Sequence, residues 1–395
     1  MAEVRRTRSR PAAPAVEEAV AAVARAKRGG RAKAAAQDTG PAELGSTLNA
    51  MRKRYGDHIV TLADEVTQPD RISTGIFLLD FALLGGIPHN RVTHVVGERS
   101  AGKSTLSDKI TVGAQQQFPD HTVVKIDVEG THDTVWSSKL GVDPERLYVA
   151  KPETGEAAVD MADALASSKE VSLVIVDSIA ALAPMKEQEN SAEDATVGLQ
   201  ARLVGIMIRK ITSAMLRERG RNHFVTILLI NQFRSKIGGY GDPRAVPGGK
   251  ALEFAATVQL IMKNKEKSGK DAYDVEGIVE NEHSFYIQKN KMNGGLREGE
   301  FRLRRIPDPE LGLNEGDIDD AATMLLYGKK FGIYNGAGSS WTLEFGEDSH
   351  KFRGLNEAVA TLYEDPDLRW RLRNFLIREQ AAHLGMPDEF LARFE

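Results

Sequence analysis

The run Gly97-Glu98-Arg99-Ser100-Ala101-Gly102-Lys103-Ser104-Thr105 contains the pattern G-x-x-x-x-G-K-[ST], matched at every fixed position by Gly97 to Ser104. The chemistry available to such a run is to grip a string of phosphates. Gly97 and Gly102 let the backbone curl so that its N–H groups point into one hollow, and a helix that starts there adds the partial positive charge of its N-terminus. Lys103 can reach β- and γ-phosphates, and the Ser104 hydroxyl can ligate magnesium. A glycine turn with a merely solvated lysine is the plain alternative, but the flanks favour the phosphate loop: Val92–Val96 reads as a buried strand and Leu106–Gln117 as a helix.

Further reactive residues follow other apolar runs. Ser172–Val176 ends in Asp177, a carboxylate placed to hold a water of a magnesium shell, although a lone Asp after a strand is also a common helix cap. Thr122–Ile126 ends in Asp127-Val128-Glu129. Alternation along an extended chain projects both carboxylates the same way. Either could polarise a water that attacks phosphorus, or sit in a salt bridge, and the spacing does not choose between them. Phe224–Ile230 ends in Asn231-Gln232, then opens into a glycine- and proline-rich loop to Lys250 that carries Arg234, Lys236, Arg244 and Tyr240. Long loops of this kind within a compact domain are commonly functional, and basic side chains on flexible backbone suit a nucleic-acid strand. A second polar loop, Met185–Val197, is acidic and precedes a helix with Arg202 and Arg209. Ser284–Gln288 leads into Lys289-Asn290-Lys291, whose lysines share a side if the strand continues.

The elements that must position these groups alternate strand and helix from Gly75 to about Asn293, predicting an α/β core with a mostly parallel sheet. Its strands are Val92–Val96, Thr122–Ile126, Leu147–Ala150, Ser172–Val176, Phe224–Ile230, Thr257–Met262 and Ser284–Gln288, with helices at Thr154–Ser167 and Gly198–Glu218 among the connections. Ligands of such sheets gather at the carboxyl ends of the strands, where the reactive residues fall. Residues 264–282 read as a charged loop. Ahead of the core, Leu48, Met51 and Tyr55 share a helical face between Ser46, a candidate N-cap, and Gly56, a candidate stop, and Ile59–Leu62 is a short apolar piece. Beyond it, residues 321–395 predict a small α+β unit with a β element over 328–345 and helices Leu355–Leu362 and Leu368–Ala382 split by Asp365-Pro366. The expected division is a basic tail over 1–45, an N-terminal element over 46–74, the core over 75–320 and the C-terminal unit.

Composition is that of a globular protein: 395 residues, 41% hydrophobic and 27% charged. No apolar run is long enough to span a bilayer. With no cysteine, disulfides and thiolate metal sites are excluded. The net charge of −4 combines +5 over residues 1–40 (nine Arg/Lys against four acids) with −9 over the remainder. A nucleic-acid partner of the body must therefore be held by local basic loops.

Taken together, these residues resemble the RecA family of bacterial and phage recombinases, over most of the chain from about Leu48. The resemblance rests on Ile72-Ser73-Thr74-Gly75, the phosphate loop, Asp127-Val128-Glu129, Lys139–Asp143, Pro152–Glu156, Val174–Ser178, Ile230-Asn231-Gln232 and Lys289-Asn290-Lys291. It implies a DNA-dependent ATPase, using ATP and Mg2+, that forms a homo-oligomeric filament on single-stranded DNA in the cytoplasm. Such a protein pairs that strand with homologous double-stranded DNA in recombination, repair and the response to DNA damage.

Residue by residue, the resemblance makes Glu129 the catalytic carboxylate, with Lys103, and Gln232 the amide that senses the γ-phosphate. Asp133 and Trp136 fall at adenine contacts, the indole standing for the family's tyrosine. Residues 185–197 and 232–250 become the two DNA loops, with Arg202, Arg209, Arg234, Lys236, Ile237, Gly248 and Gly249 as DNA contacts. Phe254, Lys289 and Lys291 would reach the ATP of an adjacent subunit, and the 46–74 element would dock on a neighbour. The chain departs from the family at Glu253, usually lysine, at Gln259, usually arginine, and at Arg244, where an acid is common; its first DNA loop shares little with the family. A ring-shaped helicase motor and a non-enzymatic, ATP-switched accessory protein are the rival readings. The pair of lysines and the docking segment disfavour the first, Glu129 and Gln232 the second.

Overall fold

In the computed structural model, described over residues 42–56, 60, 63, 67–186, 198–220, 223–235, 244–270, 276–292 and 295–395, the chain divides at residue 63 into two units. The first contributes one described helix, α1 (Ala42–Tyr55). It begins four residues ahead of Ser46, which therefore lies inside the helix instead of capping it, and it stops at Gly56, whose φ of 100° suits glycine. Leu44, Met51 and Tyr55 are exposed on it. Most of Ile59–Leu62 falls outside the described residues.

The second unit opens with β1 (Arg71–Ile72), α2 (Phe77–Leu83) and β2 (Ile87–Pro88), β1 and β2 pairing antiparallel. The core follows as β3 (Val92–Gly97), α3 (Lys103–Gln117), β4 (Thr122–Asp127), α4 (Thr134–Lys139), β5 (Leu147–Ala150), α5 (Gly155–Ala166), β6 (Val171–Asp177), α6 (Leu199–Arg219) and β7 (Thr226–Gln232). After it come β8 (Arg234–Ser235), β9 (Arg244–Ala245), α7 (Lys250–Ala255), β10 (Val258–Lys270), β11 (Glu276–Asn290), β12 (Glu298–Arg304) and β13 (Ile318–Asp319). The main sheet has nine strands in the order β13-β12-β11-β10-β3-β7-β6-β4-β5. The six from β10 to β5 run parallel, and β11, β12 and β13 extend the other edge antiparallel. The predicted fold class stands.

Residues 264–282 are a correction. Most of them lie in the long β10–β11 hairpin, whose register runs from Lys263 opposite Ser284 to Lys270 opposite Glu276. Backbone pairing along the ladder sustains strands that lack an apolar period, so the period misleads there.

Helices cover both faces of the sheet. Leu106, Ile110 and Ala114 of α3 pack with Val95, Leu173, Ile175, Leu228 and Ile230 on one face. Ala158, Val159 and Ala162 of α5 and Val204, Met207, Ile208 and Ile211 of α6 pack with Val174, Val176, Ile227 and Leu229 on the other. Each large aliphatic side chain contributes about 1.5–3 kcal/mol by burial. Gly113 permits the closest approach of α3: a Cβ there would stand 2.1 Å from the Ser73 carbonyl oxygen.

The C-terminal part comprises α8 (Ala321–Lys330), a three-stranded antiparallel sheet of β14 (Tyr334–Ala337), β15 (Ser340–Phe345) and β16 (Asp348–Phe352), then α9 (Leu355–Glu364), α10 (Pro366–His383) and α11 (Asp388–Leu391). Asp365 caps α10 and Pro366 opens it, because proline lacks the N–H that a first turn leaves unpaired. Asp80 of α2 accepts hydrogen bonds from Ser73 Oγ (2.6 Å) and Thr74 N and Oγ1 (2.8 and 2.7 Å), and pairs with Arg373 of α10 in the interior. The Ser73-Thr74 motif is thus a buried polar lock between α2 and α10.

His94, on β3, is fully buried with both ring nitrogens unpartnered, and burial lowers its pKa to about 3. Unfolded, it takes a proton near pH 6.5; folded, it resists doing so until about pH 3, so its share of stability is lost as pH falls across that window. Urea unfolding at pH 7.5 and pH 5 is expected to show wild type weakening with acid and His94→Leu weakening less. Equal pH dependence in the two proteins would contradict this.

Candidate nucleotide site

β3 delivers the phosphate loop and α3 starts within it. Gly102 (φ 84°) and Ser100 (φ 58°) are both left-handed, and this is the curl that turns successive N–H groups inward. A Cβ at Gly102 would stand 2.5 Å from the His283 ring, which stacks on Phe301 at 5.1 Å and closes the loop from below. Beside residues 100–105 opens a cavity of about 320 Å³, also lined by Asn264, Asn281, His283 and Arg305. Lys103 Nζ donates to the Glu98 carbonyl at 2.6 Å; burial lowers its pKa, against the pull of Asp177 and Glu129.

Parallel pairing brings the other strand ends to this loop. Gly97 is opposite Gln232, and Asp127 is opposite Asp177. Ser104 Oγ donates to Asp177 Oδ2 at 3.2 Å. Burial raises the Asp177 pKa, although Lys125 lies 3.5 Å away. A hydroxyl and a carboxylate meeting beside a phosphate loop are the hard oxygen donors that magnesium takes, so the residues fit that ion.

The two carboxylates that spacing left equivalent are separated by their surroundings. Asp127 is buried, and its oxygens accept from the backbone N–H groups of Gly130 (2.9 Å), Thr131 (3.3 Å) and His132 (3.0 Å). It is committed to shaping the turn. Glu129 is exposed at the mouth of the site, and its Oε1 accepts from Ser178 Oγ and Gln232 Nε2, each at 2.5 Å.

Asp133 caps α4 through Trp136 N (3.0 Å), and the Arg305 guanidinium lies 4.4 Å from the Trp136 ring centroid, so one indole face already has a cation on it. Phe254, Lys289 and Lys291 form a separate group. Phe254 is 72% exposed; Lys289 donates to the Glu253 carbonyl, and Lys291 to the Phe254 carbonyl at 3.3 Å. Burial, then Lys291, lowers the Lys289 pKa.

At the 232–250 loop, Asn231 Nδ2 donates to Pro247 O at 2.9 Å and β8 pairs with β9, which closes the neck of the loop. Arg234 is exposed and donates to Ala180 O at 3.3 Å, the carbonyl that Gln200 also engages. That places Arg234 beside the first turn of α6, where Arg202 is exposed; Arg209 is exposed two turns on. Gly248 (φ 99°) packs on Val204, and Gly249 (φ 69°) caps α7. Lys236 and Ile237, and residues 187–197 of the first loop, lie outside the described residues.

Sequence reasoning missed Ser178, Lys125 and Asp108 as members of the site. A lysine among Val123, Val124 and Ile126 of a buried strand was the available signal, because a buried ammonium requires partners.

The RecA N-terminal domain family model matches residues 42–304. The chain belongs to the RecA family. It is 34% identical to Protein RecA of Thermus thermophilus over 337 residues, covering 84% of this chain and 92% of that protein. Protein RecA of Nitratidesulfovibrio vulgaris is 35% identical over 359 residues, 89% of this chain and 93% of that one. Protein RecA of Mycobacterium marinum is 36% identical over 311 residues, 75% and 86% of the two chains. Membership of the RecA family carries with it that family's work, the recombination and repair of DNA. Among the described residues no helix is long and apolar enough to cross a membrane.

The contrast between the carboxylates is testable by thermal melting. Asp127→Ala strands three backbone donors and should lose about 1–3 kcal/mol. Glu129→Gln should melt close to wild type. If Asp127→Ala does as well, the turn does not depend on that carboxylate.

Proposed function

We propose that this RecA-family chain is an ATP-dependent recombinase that assembles on single-stranded DNA and hydrolyses ATP at sites shared between subunits. The observation that carries the reading is the Ser178–Glu129–Gln232 hydrogen-bond set facing an intact phosphate loop. Glu129 Oε1, oriented by two donors, takes the proton of the attacking water. Lys103 and the inward N–H groups of residues 97–105 hold the phosphates, and Asp133, Trp136 and Phe254 complete the nucleotide contacts. Bound magnesium, held by the Ser104 hydroxyl and through water by Asp177, would neutralise the β- and γ-phosphates.

Gln232 is both the donor to Glu129 and the first residue of the 232–250 loop. DNA on Arg234, Lys236, Ile237, Gly248 and Gly249, with Arg202 and Arg209 beside them, therefore bears on the hydrolytic carboxylate through one side chain. Residues 185–197 form the other DNA loop in this reading. In this reading the Lys289–Lys291 pair, gathered at the end of α7 beside the exposed Phe254, acts in trans on a neighbour's γ-phosphate. To reach that target, both lysines must leave the carbonyls at the end of α7, which directly follows the DNA loop.

Electron microscopy with ATP and single-stranded DNA should show open helical filaments, longer-lived for Glu129→Gln because its hydrolysis falls by about 10²–10⁴-fold. Closed rings would select a motor instead. The shared site predicts that Lys289→Ala, Lys291→Ala protein binds ATP but fails to turn it over on DNA. Mixing it with Lys103→Ala protein should restore turnover; a mixed filament as inactive as its components rejects the arrangement.

A further inference from the structure

Beneath the phosphate loop lies a charge that nucleotide binding alone does not explain. Lys125 is 2% exposed on β4, among apolar neighbours. Its ammonium stands 3.5 Å from Asp177 Oδ2 and 3.6 Å from Asp108 Oδ1. Asp108 belongs to α3 and is itself 3% exposed. Its Oδ2 accepts from Ser137 Oγ at 2.7 Å, whereas its Oδ1 has no hydrogen-bond partner. Asp177 Oδ2 already accepts from Ser104. One ammonium is thus poised between two interior carboxylates at long ion-pair distances of 3.5 and 3.6 Å, with room to close on either, since a charge-assisted N–H···O bond shortens to about 2.8 Å.

The two carboxylates are not equivalent. Asp177 is the one that faces a divalent cation in the reading proposed above, on which this inference rests. A doubly charged ion near Asp177 would repel Lys125 across an interior that screens poorly. Closing on Asp108 Oδ1 relieves that repulsion with a shift of about 1 Å and fills an open acceptor.

We propose that Lys125 is an internal counter-ion that neutralises Asp177 until metal and nucleotide bind and then passes to Asp108, so that the Asp108–Lys125 pair sets the divalent-cation requirement of the site. Lys125 touches no reacting atom; it is a positioning residue.

The test follows binding, not turnover. Full-length protein is mixed with an ATP that carries a fluorophore on its ribose, and MgCl2 is titrated, with EDTA as the metal-free reference. Asp108→Asn weakens the landing place and holds Lys125 on Asp177, so the magnesium midpoint should rise by about tenfold. Lys125→Met with Asp108→Leu replaces the pair by apolar volume, a change that buried ion pairs often tolerate. That variant should show a midpoint lowered by about tenfold and weaker binding in EDTA, where Asp177 and Glu129 face the phosphates unbalanced. A purely structural pair would not move the midpoints in opposite directions. Unchanged midpoints, or shifts of the same sign, in variants that bind the ATP probe overturn the counter-ion and leave the nucleotide site standing. Should the double variant fail to fold, Asp108→Asn decides alone. Failure of the wild type to bind the probe overturns both.

Discussion

Parallel strand register is the constraint on which the site depends. Gly97 lies opposite Gln232 and Asp127 opposite Asp177, and Val176 opposite Leu229 ties the two pairs together, so β3, β7, β6 and β4 all end within two residues of one another. Side chains alternate along each strand, and a slip of one residue would turn every one of these groups to the other face. Apolar packing enforces the register from both sides, through α3 on one face and α5 and α6 on the other. The polar residues then follow at the strand ends, where the apolar demand stops and the helix N-terminus of α3 faces them.

Around that edge the molecule separates charges by what surrounds them. Asp127 spends its carboxylate on backbone N–H groups inside a turn, while Glu129, two residues on, keeps its own at the surface for Ser178 and Gln232. Lys125 and Asp108 introduce a further pair into the interior, next to Asp177. Buried charges of this kind contribute little net stability, since desolvation offsets the attraction. Their presence beneath a phosphate loop is better understood as electrostatic control than as scaffolding.

The geometry also joins the proposed DNA surface to the chemistry by short routes. Asn231 ties the end of β7 to Pro247, so both ends of the loop are held at the sheet edge. Gln232 stands between that neck and Glu129, and α7 leaves the same loop toward the carbonyls that Lys289 and Lys291 engage. Each connection is one or two side chains long, so a change in the loop need not cross the core to be felt.

The phosphate loop, the strand ends and the α/β class were legible in the sequence because each rests on local rules: glycine spacing, apolar runs and their period. Asp365-Pro366 marked the junction of two helices for the same reason. Other features were not local. The bases of β10 and β11 were legible as strands, but residues 264–282 read as a loop because they are polar and lack an apolar period, and only pairing along the ladder reveals them. The choice between Asp127 and Glu129 could not come from spacing, which aims both the same way; the resemblance favoured Glu129, and the physical difference lies in the turn at residues 130–132, which captures Asp127. Lys125 was missed: its place in an apolar strand signals a buried charge, but its partners Asp108 and Asp177 lie on α3 and β6, and only tertiary packing brings them to either side of it.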